Sequence, residues 1–200
     1  MVVQIMSGKL TFISGGVRSG KSAYAEAMLV KEAITAKGRL IYIASGRPVD
    51  NEMKKRIEKH QQDRAEQAWT TIEQPANLFE TLPFIHQNDF VLWDCLTTWL
   101  ANELYTEHNG KFCIQMGGCM EKKAKQMLET VDEIRKNSAH LIIVSNEVLD
   151  EFPSAYDETR KYSEWIGNLH QKLVALSDDA IEMDCGLPQY WKCEGKVAVR

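Results

Sequence analysis

Gly15, Gly16, Val17, Arg18, Ser19, Gly20, Lys21 and Ser22 spell a complete G-x-x-x-x-G-K-S phosphate-binding loop, placed directly after the apolar run Leu10-Thr11-Phe12-Ile13. Glycines let the backbone curl so that successive N–H groups point at phosphate oxygens, and a helix starting at Lys21 adds its positive dipole end. Lys21 then reaches the β- and γ-phosphates, while the Ser22 hydroxyl ligates Mg²⁺. The ligand expected of this motif is a nucleoside triphosphate.

Two further groups could complete such a site. Phe90-Val91-Leu92-Trp93-Asp94 is an apolar run ending in a carboxylate, the pattern by which a phosphate-loop protein sets an Asp against the Mg²⁺ shell. A strand-terminal Asp can equally cap the next helix, here starting near Leu96; the loop upstream favours the metal role. Between Asp50 and Arg64, the residues Met53, Ile57, His60 and Arg64 are spaced by four, three and four, which puts them on one helical face. Spacing alone makes His60 a hydrogen-bonded core histidine or, with Arg56 and Arg64 beside it, a nucleophile towards phosphorus. His86, His108, His140 and His170 are expected in solvated or capping roles.

The elements that must position these groups follow from periodicity. Strand-like runs recur at Leu10 to Ser14, Leu40 to Ala44, Trp69 to Ile72, Phe90 to Asp94, Leu141 to Ser145 and Ala180 to Asp184. Between them, Met120, Ala124, Met127, Leu128, Val131 and Ile134 keep helical spacing, as do Tyr162, Trp165, Ile166, Leu169, Leu173 and Leu176. Strands alternating with helices imply an α/β fold, P-loop NTPase-like, with a mainly parallel central sheet flanked by helices. Ligands bind such sheets at the carboxyl ends of the strands. Glu107 to Gly118, with its Asn-Gly and Gly-Gly pairs, reads as a mobile connection between helices.

Composition narrows the class. Two hundred residues with 44% hydrophobic content suit a single domain over 1–200. A net charge of −4 without a Lys/Arg cluster argues against nucleic acid as a partner. The start of the chain lacks a signal-peptide pattern, and no run approaches the ~18 apolar residues of a membrane span, so a cytoplasmic protein without a membrane span is expected. Cys95, Cys113, Cys119, Cys185 and Cys193 show no C-x-x-C pair and are expected to be reduced, structural thiols. Guanine-switch and transport-ATPase signatures are missing from the sequence, which leaves a small-molecule kinase or transferase.

The chain resembles the bifunctional adenosylcobinamide kinase/adenosylcobinamide-phosphate guanylyltransferases of cobalamin biosynthesis. The resemblance rests on ordered blocks: Ser14 to Ser22 with Ala25-Glu26-Ala27; Tyr42-Ile43-Ala44; Asp50, Glu52-Met53 and Arg56-Ile57; His60; Trp69, Thr71 and Glu73; Asp94-Cys95-Leu96-Thr97-Thr98; Ser145-Asn146-Glu147-Val148; Arg160, Gly167 and Gln171; and Gly186-Leu187-Pro188. It implies that adenosylcobinamide is phosphorylated with ATP or GTP, and that GMP then passes from GTP to adenosylcobinamide phosphate through a guanylylated histidine, here His60. Nucleotide contacts are implied at Gly15 to Ser22, at Ala44, Ser45 and Gly46, at Gln61, Gln62, Asp63 and Arg64, and at Glu73 and Asp94. Ser22 and Asp94 are implied on the Mg²⁺ side and Lys21 in the transfer itself. A homotrimer is implied as well.

The chain departs from the family pattern at Leu149, where Gly is usual, at Ala65, at His170, where Asn is usual, and at Pro153. Those departures motivate a kinase-only alternative. A nucleotide-dependent binding module is the alternative from another class, told apart by the lack of turnover.

Overall fold

The computed structural model describes residues 8–47, 68–149 and 155–198. Six strands lie parallel: β1 (Lys9–Gly15), β2 (Arg39–Ala44), β3 (Trp69–Glu73), β4 (Asp89–Asp94), β7 (His140–Asn146) and β8 (Asp179–Asp184). Their order is β8-β1-β7-β4-β2-β3. β9 (Leu187–Cys193) and β10 (Lys196–Val197) extend the β8 edge in antiparallel fashion. All six parallel strands coincide with the apolar runs read from sequence.

All of these runs but β3 are apolar along most of their length because both faces of the sheet are covered there. On one face, Ile13, Tyr42, Leu92 and Val144 pack with Ala25, Leu29 and Ala33 of helix α1 (Lys21–Ala36). On the other, Phe12, Ile43, Trp93 and Ile143 meet α2 (Leu96–Leu104), α3 (Cys119–Lys136) and α4 (Asp157–Leu176). The predicted helical stripes are the buried ones, with Met120, Ala124, Met127, Val131 and Ile134 on α3 and Ile166, Leu169 and Leu173 on α4. The period of 3.6 and the two-sided strands thus agree on one architecture.

The two ends of the strands differ in chemistry. At the amino ends, the first residues of five strands carry charge or hydrogen-bonding rings that are paired. Lys9 meets Asp179 at 2.7 Å, Arg39 grips Asp89 through Nε and Nη2 at 2.8 and 2.7 Å, and His140 Nδ1 lies 2.7 Å from Glu32. This end is fastened shut, and the carboxyl ends carry the candidate site.

Two expectations need correction here. Residues 107–118 form a hairpin, β5 (Glu107–His108) with β6 (Lys111–Phe112), followed by a 3₁₀ turn over Cys113–Gln115. A disulfide joins Cys113 to Cys119 across six positions, so this segment is a stapled connection and these two thiols are not reduced. The Gly pairs that suggested mobility instead serve turns: Gly110 and Gly118 have φ of 78° and 75°, a region open to glycine without strain. Cys95, Cys185 and Cys193 are free.

Candidate active site at the carboxyl ends of the strands

β1 delivers the phosphate loop. α1 begins at Lys21, as the motif requires, and Gly20 before it has φ 88°. Gly15 is held by close approach: a Cβ there would lie 2.5 Å from the Met183 carbonyl and 2.7 Å from Ser19 Oγ. Lys21 is only 7% exposed and donates from Nζ to the Gly16 carbonyl at 3.1 Å, so its side chain folds back over the loop. Ser19 is buried, and its hydroxyl has no hydrogen-bond partner among the described residues. An orphan buried hydroxyl in a curl of backbone amides is a donor set suited to phosphate oxygens. The turn between β8 and β9 closes the loop's flank, where Gly186 N donates to Ser19 O at 3.1 Å.

Asp94 ends β4, with β7 lying between it and the loop-bearing β1. The Tyr42 hydroxyl, on the neighbouring β2, donates to Asp94 Oδ2 at 2.9 Å and fixes the carboxylate's direction. Helix α2 starts two residues later with Cys95 at its cap position and no side-chain cap bond, so Asp94 is oriented by Tyr42 and not spent as a cap. The Ser22 hydroxyl and the Asp94 carboxylate are hard oxygen donors of the kind Mg²⁺ takes beside phosphate oxygens and water.

The block after Asp94 is knitted to the end of β7. Cys95 Sγ lies 3.2 Å from Thr97 Oγ1 and 3.0 Å from Thr98 Oγ1; Asn146 Nδ2 donates to Thr97 Oγ1 at 3.0 Å, and the Tyr162 hydroxyl to Thr97 O at 3.1 Å. Burial, with the Asp94 charge second, pushes the Cys95 thiol up, which makes it a hydrogen-bonding group and not a thiolate. Burial also pushes the Tyr162 hydroxyl up to about 12. Glu147 N donates to Gly15 O at 2.8 Å, tying the end of β7 to the phosphate loop.

Ala44 ends β2 with Ser45 and Gly46 following it, and Glu73 ends β3, three strands away from β7 at the same end of the sheet. Ser45 is fully buried, while Gly46 and Glu73 are exposed. The structure therefore lines up Gly15 to Ser22, Ala44 to Gly46, Glu73 and Asp94 along one end of one sheet. His60, Gln61, Gln62, Asp63 and Arg64, with the helical face around them, lie outside the described residues, as does Pro153. Arg160 sits in the first turn of α4, paired with Asp157.

Three features were not read from sequence. Tyr42 aims at Asp94 from an otherwise aliphatic strand, and that lone hydroxyl in the run was the available signal. His170 is no capping or solvated residue: its Nε2 lies 2.7 Å from Ser145 Oγ, its ring meets Phe12 edge-on, and burial lowers its pKa to about 4. His140 is likewise buried, between Glu32 and Thr11.

The family model described as cobinamide kinase / cobinamide phosphate guanyltransferase matches residues 11–190. The bifunctional adenosylcobalamin biosynthesis protein CobU of Escherichia coli K12 is 30% identical over 173 residues, 85% of this chain and 92% of that protein. The corresponding CobP of Pseudomonas aeruginosa is 30% identical over 183 residues, 91% of this chain and 96% of that protein. Among solved structures, that of a KaiC-like protein from Pyrococcus horikoshii OT3 is 9% identical with a TM-score of 0.44, covering 88% of this chain and 71% of that one. That last likeness is too slight to carry an argument.

Proposed function

This chain belongs to the cobinamide kinase / cobinamide phosphate guanyltransferase family, and from that premise we propose how its residues divide the two reactions. It is a bifunctional enzyme of cobalamin biosynthesis that phosphorylates adenosylcobinamide and then transfers GMP to the phosphate. The observation that carries the division of roles is the alignment of the phosphate loop, Asp94 and Glu73 at one edge of the sheet.

In the kinase step, the aminopropanol hydroxyl oxygen of adenosylcobinamide attacks the γ-phosphorus of ATP or GTP. The bond to the β-phosphate oxygen breaks, and the hydroxyl proton is released. Lys21 and the amides of Gly15 to Ser22 hold the triphosphate and meet the charge that spreads over its oxygens. In the second step, an imidazole nitrogen of His60 attacks the α-phosphorus of GTP, forming a P–N bond and expelling pyrophosphate. A phosphate oxygen of adenosylcobinamide phosphate then attacks the same phosphorus, the P–N bond breaks, and adenosylcobinamide-GDP leaves with the imidazole restored. Both transfers are displacements at phosphorus, so one set of charge-stabilising groups serves both.

Mg²⁺, held by Ser22 and Asp94, would neutralise phosphate charge when bound. Ala44 to Gly46, Gln61 to Arg64 and Glu73 complete the nucleotide contacts. One domain over 1–200, a homotrimer and a cytoplasmic location belong to the same proposal; no helix among the described residues is long and apolar enough to cross a membrane.

Mass spectrometry of products from adenosylcobinamide with excess GTP tests the reading. The expected result is adenosylcobinamide phosphate appearing first and the GDP-linked product following, with pyrophosphate. Accumulation of the phosphate alone would make the enzyme a kinase only.

A further inference from the structure

Between the two nucleotide-side loops stands a residue that neither the motifs nor the family blocks single out. Asn102, at the end of the second turn of α2, donates from its Nδ2 to the Ser45 carbonyl and to the Pro75 carbonyl, each at 2.9 Å. Those carbonyls belong to different loops. Ser45 is the first residue after β2, and Pro75 the second after β3. A primary amide carries two N–H groups, and here each is spent on one loop.

The surrounding bonds make Asn102 the clamp of an otherwise fixed assembly. Ser45 N donates to the Asp94 carbonyl at 2.9 Å, and Ser45 Oγ accepts from Nε1 of the fully buried Trp93 at 2.8 Å. Gln74 N donates to the Ala44 carbonyl at 2.9 Å. The next residue of α2, Glu103, buried to 1% exposure, accepts from Asn77 N at 2.7 Å and pairs with Lys123 at 2.9 Å. β3 is the edge strand and only half buried, so it depends on such fastening more than the central strands do.

We infer that Asn102 is a positioning residue for nucleotide selectivity: it holds the Ala44–Gly46 segment and the Glu73–Pro75 segment in one geometry for reading guanine. The inference rests on the proposed reading that these segments contact GTP. Guanine presents donors at N1 and at its exocyclic amine, and a carboxylate such as Glu73 accepts only, which matches. Adenine has an acceptor at N1 beside its N6 amine, so it cannot meet the same carboxylate with two adjacent donors. A site built to hydrogen-bond one base loses its discrimination when its polar groups drift, while phosphate binding at the loop after β1 is untouched.

Equilibrium titration of the full chain with GTP, ITP and ATP, for wild type, Asn102→Ser, Glu73→Gln and the double variant, tests this. Loss of two hydrogen bonds is expected to weaken GTP binding by about tenfold in Asn102→Ser. ATP binding should stay within about twofold, and the two substitutions should be non-additive. The rate of phosphoryl transfer from saturating ATP should be retained, which a merely destabilised protein would not do. Equal weakening of ATP and GTP, or no change in either, would overturn the inference. If Asn102→Ser fails to fold, Asn102→Ala, which favours the helix and sets no acceptor against the two carbonyls, is the second variant and carries the same expectation. A silent Glu73→Gln sinks the underlying reading of the base side. Glu73→Gln weakening GTP while Asn102→Ser does not leaves that reading standing and refutes the role of Asn102.

Discussion

At His170 a ring ordinarily half-protonated at pH 6.5 is held neutral, because burial lowers its pKa to about 4 while Ser145 Oγ lies 2.7 Å from its Nε2. Between pH 6.5 and about 4 the unfolded chain takes up a proton there that the folded chain refuses. The stability this site contributes is therefore fully present above pH 6.5 and is lost as pH falls towards about 4. His170→Asn, which cannot titrate, should flatten the acid limb of the stability curve by up to roughly 3 kcal/mol. Urea unfolding at neutral pH and at the acid end checks this; equal acid sensitivity in both proteins would place the proton elsewhere. Sequence alone missed the role because His170 follows Leu169 on the flank of an apolar stripe, and only the crossing of α4 over β1 brings Phe12 against the ring. The phosphate loop was legible because its chemistry is local: glycine conformations and a helix start are consecutive in the chain.

At the scale of elements, the Cys113–Cys119 disulfide staples the β5–β6 hairpin to the first residue of α3. Opening so short a loop should cost about 2 kcal/mol in the chain-entropy model. Thermal melts with and without reductant, compared with the Cys113→Ser/Cys119→Ser double variant, should show the wild type falling to the variant's Tm only when reduced. A wild-type Tm insensitive to reductant would mean that the bond does not stabilise the fold. The pairing was invisible in sequence, since it needs the turn geometry that returns the chain to its own helix. β1, β2, β4, β7 and β8 were legible because each is buried on both faces and so apolar along most of its length. β9 was missed because it is mostly exposed, and its Pro188, Gln189 and Lys192 break the apolar signal.

Across the whole molecule, the sheet is closed by charge at its amino ends and holds the candidate site at its carboxyl ends. Arg135 is the broadest fastener of the closed end. It donates to the carbonyls of Gly8 and Leu176 at 2.9 and 3.1 Å and forks onto both oxygens of Asp178 at 2.9 Å, while Leu10 N donates to Asp178 Oδ2. It joins the end of α3 to the approaches of β1 and β8. Lysine cannot reproduce that planar fork, so Arg135→Lys should lose roughly 1–3 kcal/mol of stability. Denaturant titration measures the loss, and GTP binding per folded molecule should stay as in wild type because the site lies at the opposite edge. A fall in GTP affinity would contradict the separation of the two ends. The proposal that both transfers use one nucleotide site also concerns the whole molecule, and GTP labelled at the α-phosphate tests its covalent step most directly. An acid-labile, base-stable protein adduct is expected in the wild type and none in His60→Ala, with phosphorylation of adenosylcobinamide retained in the variant. Equal labelling of the two proteins would contradict that covalent step.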